Sequence, residues 1–193
     1  MNKIVPSDIR GPKLYAGFRD DLRKRVIELK RKRRVSVGPL VTLVFENRTT
    51  VICQIEEMCR AEALQTPEKI AEEVGVYNEL IPDAGEVSAT LFVELTDQAT
   101  LEKSLNSLVG LQDHVALRVG TSTVRATFDP DQFRADRLAA VQYLRFSFPS
   151  DAQQALTSGE SLALRIDHPS YTHSTQLSSD TRAELVADLG LRV

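Results

Sequence analysis

The residues predict an α+β fold, a largely antiparallel sheet covered by helices, with a helix-rich N-terminal part and a strand-rich C-terminal part. Two observations carry that expectation. Up to about residue 80 the apolar positions recur at steps of three and four, the helical period. Beyond it they alternate, which is the period of a strand with one buried face. The chain has 193 residues, 42% of them hydrophobic and 26% charged, enough for a sizeable core. It reads as one domain over 1–193, helix-rich through 80 and strand-rich from 81, or as two lobes along that division.

Leu14, Phe18, Leu22, Val26 and Leu29 fall on one stripe of a helix running from about Leu14 to Arg33. Gly38 and Pro39 end the pattern, and Leu40 to Phe45 is a run of β-formers that reads as a short strand. The stretch "VFENRTTVICQIEEMCRAE", residues 44–62, then opens a second helix, with Asn47 as its capping residue and Val51, Ile55 and Met58 on an apolar side. Thr66 followed by Pro67 starts a third helix, whose stripe is Ile70, Val74 and Tyr77. The turn "LIPDAGE", residues 80–86, follows. Ala89, Leu91, Val93 and Leu95 alternate as a strand, and Thr96 caps a helix carrying Leu101, Leu105 and Leu108 before Gly110. "VALRVGTSTVRATF", residues 115–128, reads as a hairpin turning near Gly120. Alternation marks two more strands, "LRFSF" and "LALRI", and Ser178 or Ser179 opens a last helix that Gly190 closes.

Charge is unevenly spread. Residues 22–34, LRKRVIELKRKRR, hold eight Lys or Arg against Glu28, a local +7 that leaves −10 for the rest of a chain whose net charge is −3. Arg23, Lys24, Arg25, Lys30, Arg31, Lys32, Arg33 and Arg34 therefore form a candidate basic surface. It suits a polyanion such as nucleic acid, or an acidic patch of the same fold or of a partner protein. The chain has no Trp, no zinc-finger spacing and no aromatic strand of the RNA-binding type, so specific nucleic-acid readout has no support. No run approaches the roughly 18 apolar residues of a membrane span, and the opening MNKIVPSDIRGPK lacks the apolar stretch of a secretion signal. A cytoplasmic location without membrane contact is the expectation.

Two stretches are candidates for chemistry. In residues 44–62 Cys53 and Cys59 are six apart and point about 120° from each other around a helix, so they cannot share a tetrahedral metal as a CxxC pair does. Glu56 and Arg60 read as an exposed ion pair. Glu46, Arg48, Gln54 and Glu57 make a candidate polar pocket, better suited to binding than to catalysis. The second stretch is "IDHPSYTH", residues 166–173, where Asp167, His168 and Tyr171 follow a strand. That set can serve as metal ligands or as an acid–base pair, and it can equally be a turn in which Pro169 fixes φ and Asp167 accepts turn hydrogen bonds. There is no G-x-S-x-G elbow, P-loop, G-x-G-x-x-G or H-E-x-x-H. No cofactor or metal site is expected from the motifs, and no catalytic constellation is recognisable.

The blocks "RRVSVGPLVTLVFENRTTVICQIEEMCRAE", "YNELIP" with "GEVSATLFVE", and "LRFSF" with "IDHPSY" resemble a prokaryotic family defined as domain of unknown function 3501, over about residues 5–190. The resemblance implies a compact cytosolic bacterial protein whose relatives are encoded beside rubrerythrin-like and iron–sulfur oxidoreductase proteins. It carries no catalytic or binding residue onto any position here. The expectation it adds is an accessory or interaction protein, with a redox protein as partner and the basic helix as a docking surface.

Overall fold

The computed structural model of the protein describes residues 1–94, 98–129 and 138–191. The N-terminal part holds α1 (Gly11–Tyr15), α2 (Arg19–Arg33), β1 (Arg34–Val37), β2 (Val41–Glu46), α3 (Arg48–Ala61) and α4 (Pro67–Tyr77). Then come β3 (Glu86–Val93), α5 (Gln98–Ser107), β4 (Val115–Val119), β5 (Ser122–Phe128), β6 (Val141–Ser147), α6 (Ser150–Thr157), β7 (Leu162–His168), β8 (Tyr171–Gln176) and α7 (Ser179–Asp188). The fold is α+β, with helices mostly N-terminal and strands mostly C-terminal.

The eight strands among the described residues join one antiparallel sheet in the order β1-β2-β3-β6-β5-β4-β7-β8. The sheet curls until its edges approach each other as a nearly closed barrel. Tyr171 on β8 donates its hydroxyl to the Val37 carbonyl of β1 and accepts from the backbone N–H of Leu40 at 2.9 Å and of Val41 at 3.2 Å. Thr175 donates to the Ser36 carbonyl at 2.8 Å. Side chains thus occupy edge groups that would otherwise template pairing with another chain. Gly38, at φ 69° in the β1–β2 turn, permits the approach, because a Cβ there would stand 2.5 Å from the His173 ring and 2.6 Å from the Tyr171 hydroxyl.

Alternation places the core. On β7 Leu162, Leu164, Ile166 and His168 are buried while Arg165 and Asp167 face out. The interior gathers Leu43, Phe45, Leu91, Leu117, Leu144 and Phe146, all essentially inaccessible. β2 is buried at every position because its outer face lies beneath the helices, so the polar Thr42 and Glu46 are buried along with Val41, Leu43, Val44 and Phe45. A second cluster outside the barrel joins Ile4 and Ile9 of the N-terminal segment to Val51, Ile55 and Cys59 of α3, Val74 of α4 and Ile81.

The expected single helix from Leu14 to Arg33 is two helices with a break at residues 16–18. The break turns Tyr15 inward: Tyr15 is fully buried and donates to Glu57 at 2.7 Å, whereas Leu14 and Phe18 are 66% and 53% exposed. Phe18 instead lies beneath the Arg10 guanidinium, 4.7 Å from the ring centre. Val26 keeps the expected inward side, with Leu22 and Leu29 half-buried beside it. Asp20 and Asp21 in the first turn of α2 and Lys30 to Arg33 in its last complement the helix dipole. Leu95, Thr96 and the Leu101 side chain lie outside the described residues.

Candidate functional site

Glu46 ends β2 on the sheet's outer face and is 2% exposed. Its Oε2 accepts from the Thr50 hydroxyl and from Gln54 Nε2 at 3.1 Å, both on α3, and its Oε1 accepts from the Thr90 hydroxyl of β3 at 2.8 Å. Three neutral donors hold a buried carboxylate that has no ion pair among the described residues. Asn47 follows immediately as the α3 cap: its Oδ1 accepts from Thr50 N at 3.0 Å while Thr50 Oγ1 accepts from Asn47 N at 2.9 Å. Sequence therefore builds one device here, a carboxylate that fastens α3 to two strands. Beside it a cavity of about 290 Å³ is lined by residues including Leu80, Ser88, Tyr143 and Arg145.

Of the four residues expected to share a polar pocket, only Glu46 and Gln54 meet. Arg48 pairs with Asp8 of the N-terminal segment. Glu57 points to α1 and α2: it shares a stripe of α3 with Thr50 and Gln54 but stands two turns, ~10 Å, beyond Thr50 along the helix axis, where Tyr15 and Arg19 meet it in place of Glu46. There it accepts from Tyr15, from Arg19 Nε at 2.8 Å and Nη2 at 3.1 Å, and from Arg60 at 3.2 Å. Arg60 thus pairs with Glu57 and not with Glu56, which is fully buried and accepts from the Arg10 N–H at 2.7 Å. Burial pushes the Glu56 carboxyl up.

Arg19, then Tyr15 and Arg60, hold the Glu57 carboxyl down at about 2 from its ordinary 4.5. Burial and donation to Glu57 push the Tyr15 phenol up. A depressed carboxyl contributes stability that is present above its unfolded pKa and is lost as pH falls through the folded one. Urea titrations of the wild type and Glu57→Gln are accordingly expected to differ most above pH ~5 and to converge between ~4 and ~2. A constant difference across that window would contradict the assignment.

Residues 166–173 form the end of β7, a turn at Pro169–Ser170 and the start of β8. Successive residues of a strand face opposite sides, so Asp167 and His168 do not converge. His168 is 6% exposed, its Nε2 lies 3.0 Å from the Val109 carbonyl and its Nδ1 accepts from Ser170 N at 3.2 Å, so both ring nitrogens are engaged. Asp167 faces out and meets His114 Nδ1 at 3.2 Å. Tyr171 is the barrel-closing residue described above. Among the described residues no group of three or more His, Cys, Asp or Glu is placed to hold a metal ion. Cys53 and Cys59 are both buried free thiols, pushed up by burial.

The basic run divides into distinct parts. Arg33 is not a surface residue: it is 1% exposed, and its guanidinium meets Glu184 and Asp188 of α7 and the carbonyls of Phe45 and Glu46. The last turn of α2 faces β2 and α7, which carries Arg33 inward on the same side as Val26 and Leu29. Arg34 begins β1 and pairs with Glu94, and Arg31 pairs with Glu28. Arg23, Lys24, Arg25, Lys30 and Lys32 have no ion pair among the described residues. Lys24, Arg25 and Lys32 line a groove of about 570 Å³ between α2, the start of α3 and α7, together with Leu29, Asn47, Thr49 and two carboxylates, Glu28 and Glu184, which are paired with Arg31 and Arg33.

A second basic feature escapes the sequence reading. Arg118 of β4, Arg125 of β5 and Arg165 of β7 line one hollow of about 160 Å³ on the barrel's outer face. Each is the outward residue in an alternating strand, "LRV", "VRA" and "LRI". That shared phase was the available signal, but only the strand order makes the three neighbours.

Comparison with known proteins places these features in context. A family model described as "Protein of unknown function (DUF3501)" matches residues 3–189. The crystal structure of a protein of unknown function from Burkholderia pseudomallei K96243 is similar, with a TM-score of 0.92 and 33% identity, over 97% of this chain and 100% of that one. No curated protein matches. No helix among the described residues is long and apolar enough to cross a membrane.

Proposed function

The chain belongs to the DUF3501 family, and from that premise we propose that it is an accessory protein that docks an acidic protein partner through α2. The observation that supports this reading is the set of five cations on α2, Arg23, Lys24, Arg25, Lys30 and Lys32, that the protein's own carboxylates leave unpaired among the described residues, three of them beside a groove. An acidic body elsewhere in the chain does not neutralise them. Ile27, 51% exposed on the same helix, adds an apolar contact that a docking protein would cover. The partner fitting the family resemblance is a redox protein of the iron–sulfur or rubrerythrin type, met in the cytoplasm. In this reading the protein carries no chemistry of its own and positions another protein that does.

Co-purification from native cells at low salt tests it. Wild type is expected to retain an acidic partner that Lys24→Glu, Arg25→Glu and Lys32→Glu together release. These side chains are exposed or border an open groove, and exposed substitutions typically shift stability by only about 0.5 kcal/mol each, so loss of binding is separable from loss of fold. Equal retention by both forms would overturn the docking role of α2. Recovery of nucleic acid in place of protein, with affinity falling steeply in salt, would assign the same cations to a polyanion.

A further inference from the structure

We infer that the hollow on the outer face of β4, β5 and β7 is a binding site for a phosphoryl group carried by a small molecule. Register sets its layout. Ala116 is the Cα partner of Arg125 on one side and of Arg165 on the other, so the two arginines flank a small residue in one transverse row, about 10 Å apart at Cα. Arg118 stands two residues along β4 from Ala116 on the same face, opposite Thr123. Ala116 leaves the floor open between them. His114 and Thr123 complete the polar wall of the 160 Å³ hollow.

Charge makes the arrangement informative. Three guanidiniums bordering one small concavity repel one another, and a fold that gains nothing from that repulsion would separate them or supply carboxylates. The three are not separated here, and the one carboxylate lining the hollow among the described residues, Asp167, pairs with none of them. None of the three has an ion pair among the described residues. Among the described residues Arg125 donates only to the Asp113 carbonyl at 3.3 Å and Arg118 only to the Gly120 carbonyl at 3.4 Å, leaving most of their donors available. Asp167, the carboxylate in the wall, is turned to His114. The missing counter-charge is an anion that accepts several forked hydrogen bonds at once, which is the chemistry of a phosphoryl group met by arginine. The hollow's size selects a single phosphate or diphosphate end and leaves the rest of the ligand outside.

The site is independent of α2 and of the docking reading. Its test is calorimetric titration of the intact protein with inorganic phosphate, pyrophosphate and a nucleoside triphosphate at low salt, repeated on Arg165→Gln and Arg118→Gln. Saturable binding of at least one of these is expected, weakened about tenfold or more by each substitution, as loss of a charged hydrogen-bonding partner requires. The sites are exposed, so unchanged thermal unfolding of the variants is expected and serves as the check on folding. No saturable heat up to about 10 mM of any probe, a range that covers even weak complexes, would overturn the proposal. So would equal affinity in the variants, or binding of an oligonucleotide but of none of the three small probes.

Discussion

Replacing Arg33 by Met is expected to cost about 3–5 kcal/mol of folding free energy, read from urea unfolding, because it strands charges that the fold has taken out of water. The guanidinium donates to Glu184 Oε2 from Nε at 3.2 Å and from Nη2 at 3.0 Å, and to both oxygens of Asp188 at 2.7 and 2.8 Å. Asp188 is 8% exposed, and burial pushes its carboxyl up while Arg33 draws it down. Without Arg33 one carboxylate is left almost dry and the other half so. The double variant Arg33→Met with Asp188→Leu should regain part of the loss, since removing both partners of a buried pair costs less than removing one. A loss below about 1 kcal/mol, of the size expected at exposed Lys32, would contradict the buried clamp. This position also explains why only part of the basic run faces solvent: one arginine of the run is a fixed part of the core.

Tyr171→Phe is expected to lower stability by about 2–3 kcal/mol and to loosen one seam of the barrel in particular. The hydroxyl donates to Val37 O and accepts two backbone N–H groups, and each buried polar group left unpaired costs about 1–3 kcal/mol. Hydrogen exchange at Leu40 and Val41 should quicken while exchange in β3 and β6, at the middle of the sheet, changes little. Unaltered protection at Leu40 and Val41 would show that the edges are held by something other than this side chain.

Much of the fold is legible in the sequence where periodicity coincides with burial. The alternation of Ala89, Leu91 and Val93, the stripe of Ile70, Val74 and Tyr77, and the Ser178 cap of α7 each report a local rule that the fold obeys. Two edge strands do not report themselves. β1 is RVSV, too short to show a period, and β8 is YTHSTQ, whose one large buried side chain is Tyr171. Each pairs with its neighbour in the chain, β1 with β2 and β8 with β7, but the contact that brings the two edges together joins residues 130 or more apart, which no local window contains. The same limit governs the sites. Glu46 and Gln54 lie within one strand–helix unit, and their meeting is readable from spacing. Arg33 with Asp188, and Arg125 beside Arg165, depend on which strands and helices the sheet brings together. Composition identifies the basic run but cannot tell an arginine that faces solvent from one that faces the core.

The docking role of α2 is tested most directly by a photo-activated crosslinker placed at Lys32, with a second placed at Thr172 on β8 as the reference, both activated in native cells. The account predicts one dominant adduct at position 32, formed through an acidic segment of the partner, suppressed by salt in extracts and absent when Lys24 and Arg25 are changed to Glu. Adducts that are equal at the two positions, or that persist after the charge reversal, would contradict it.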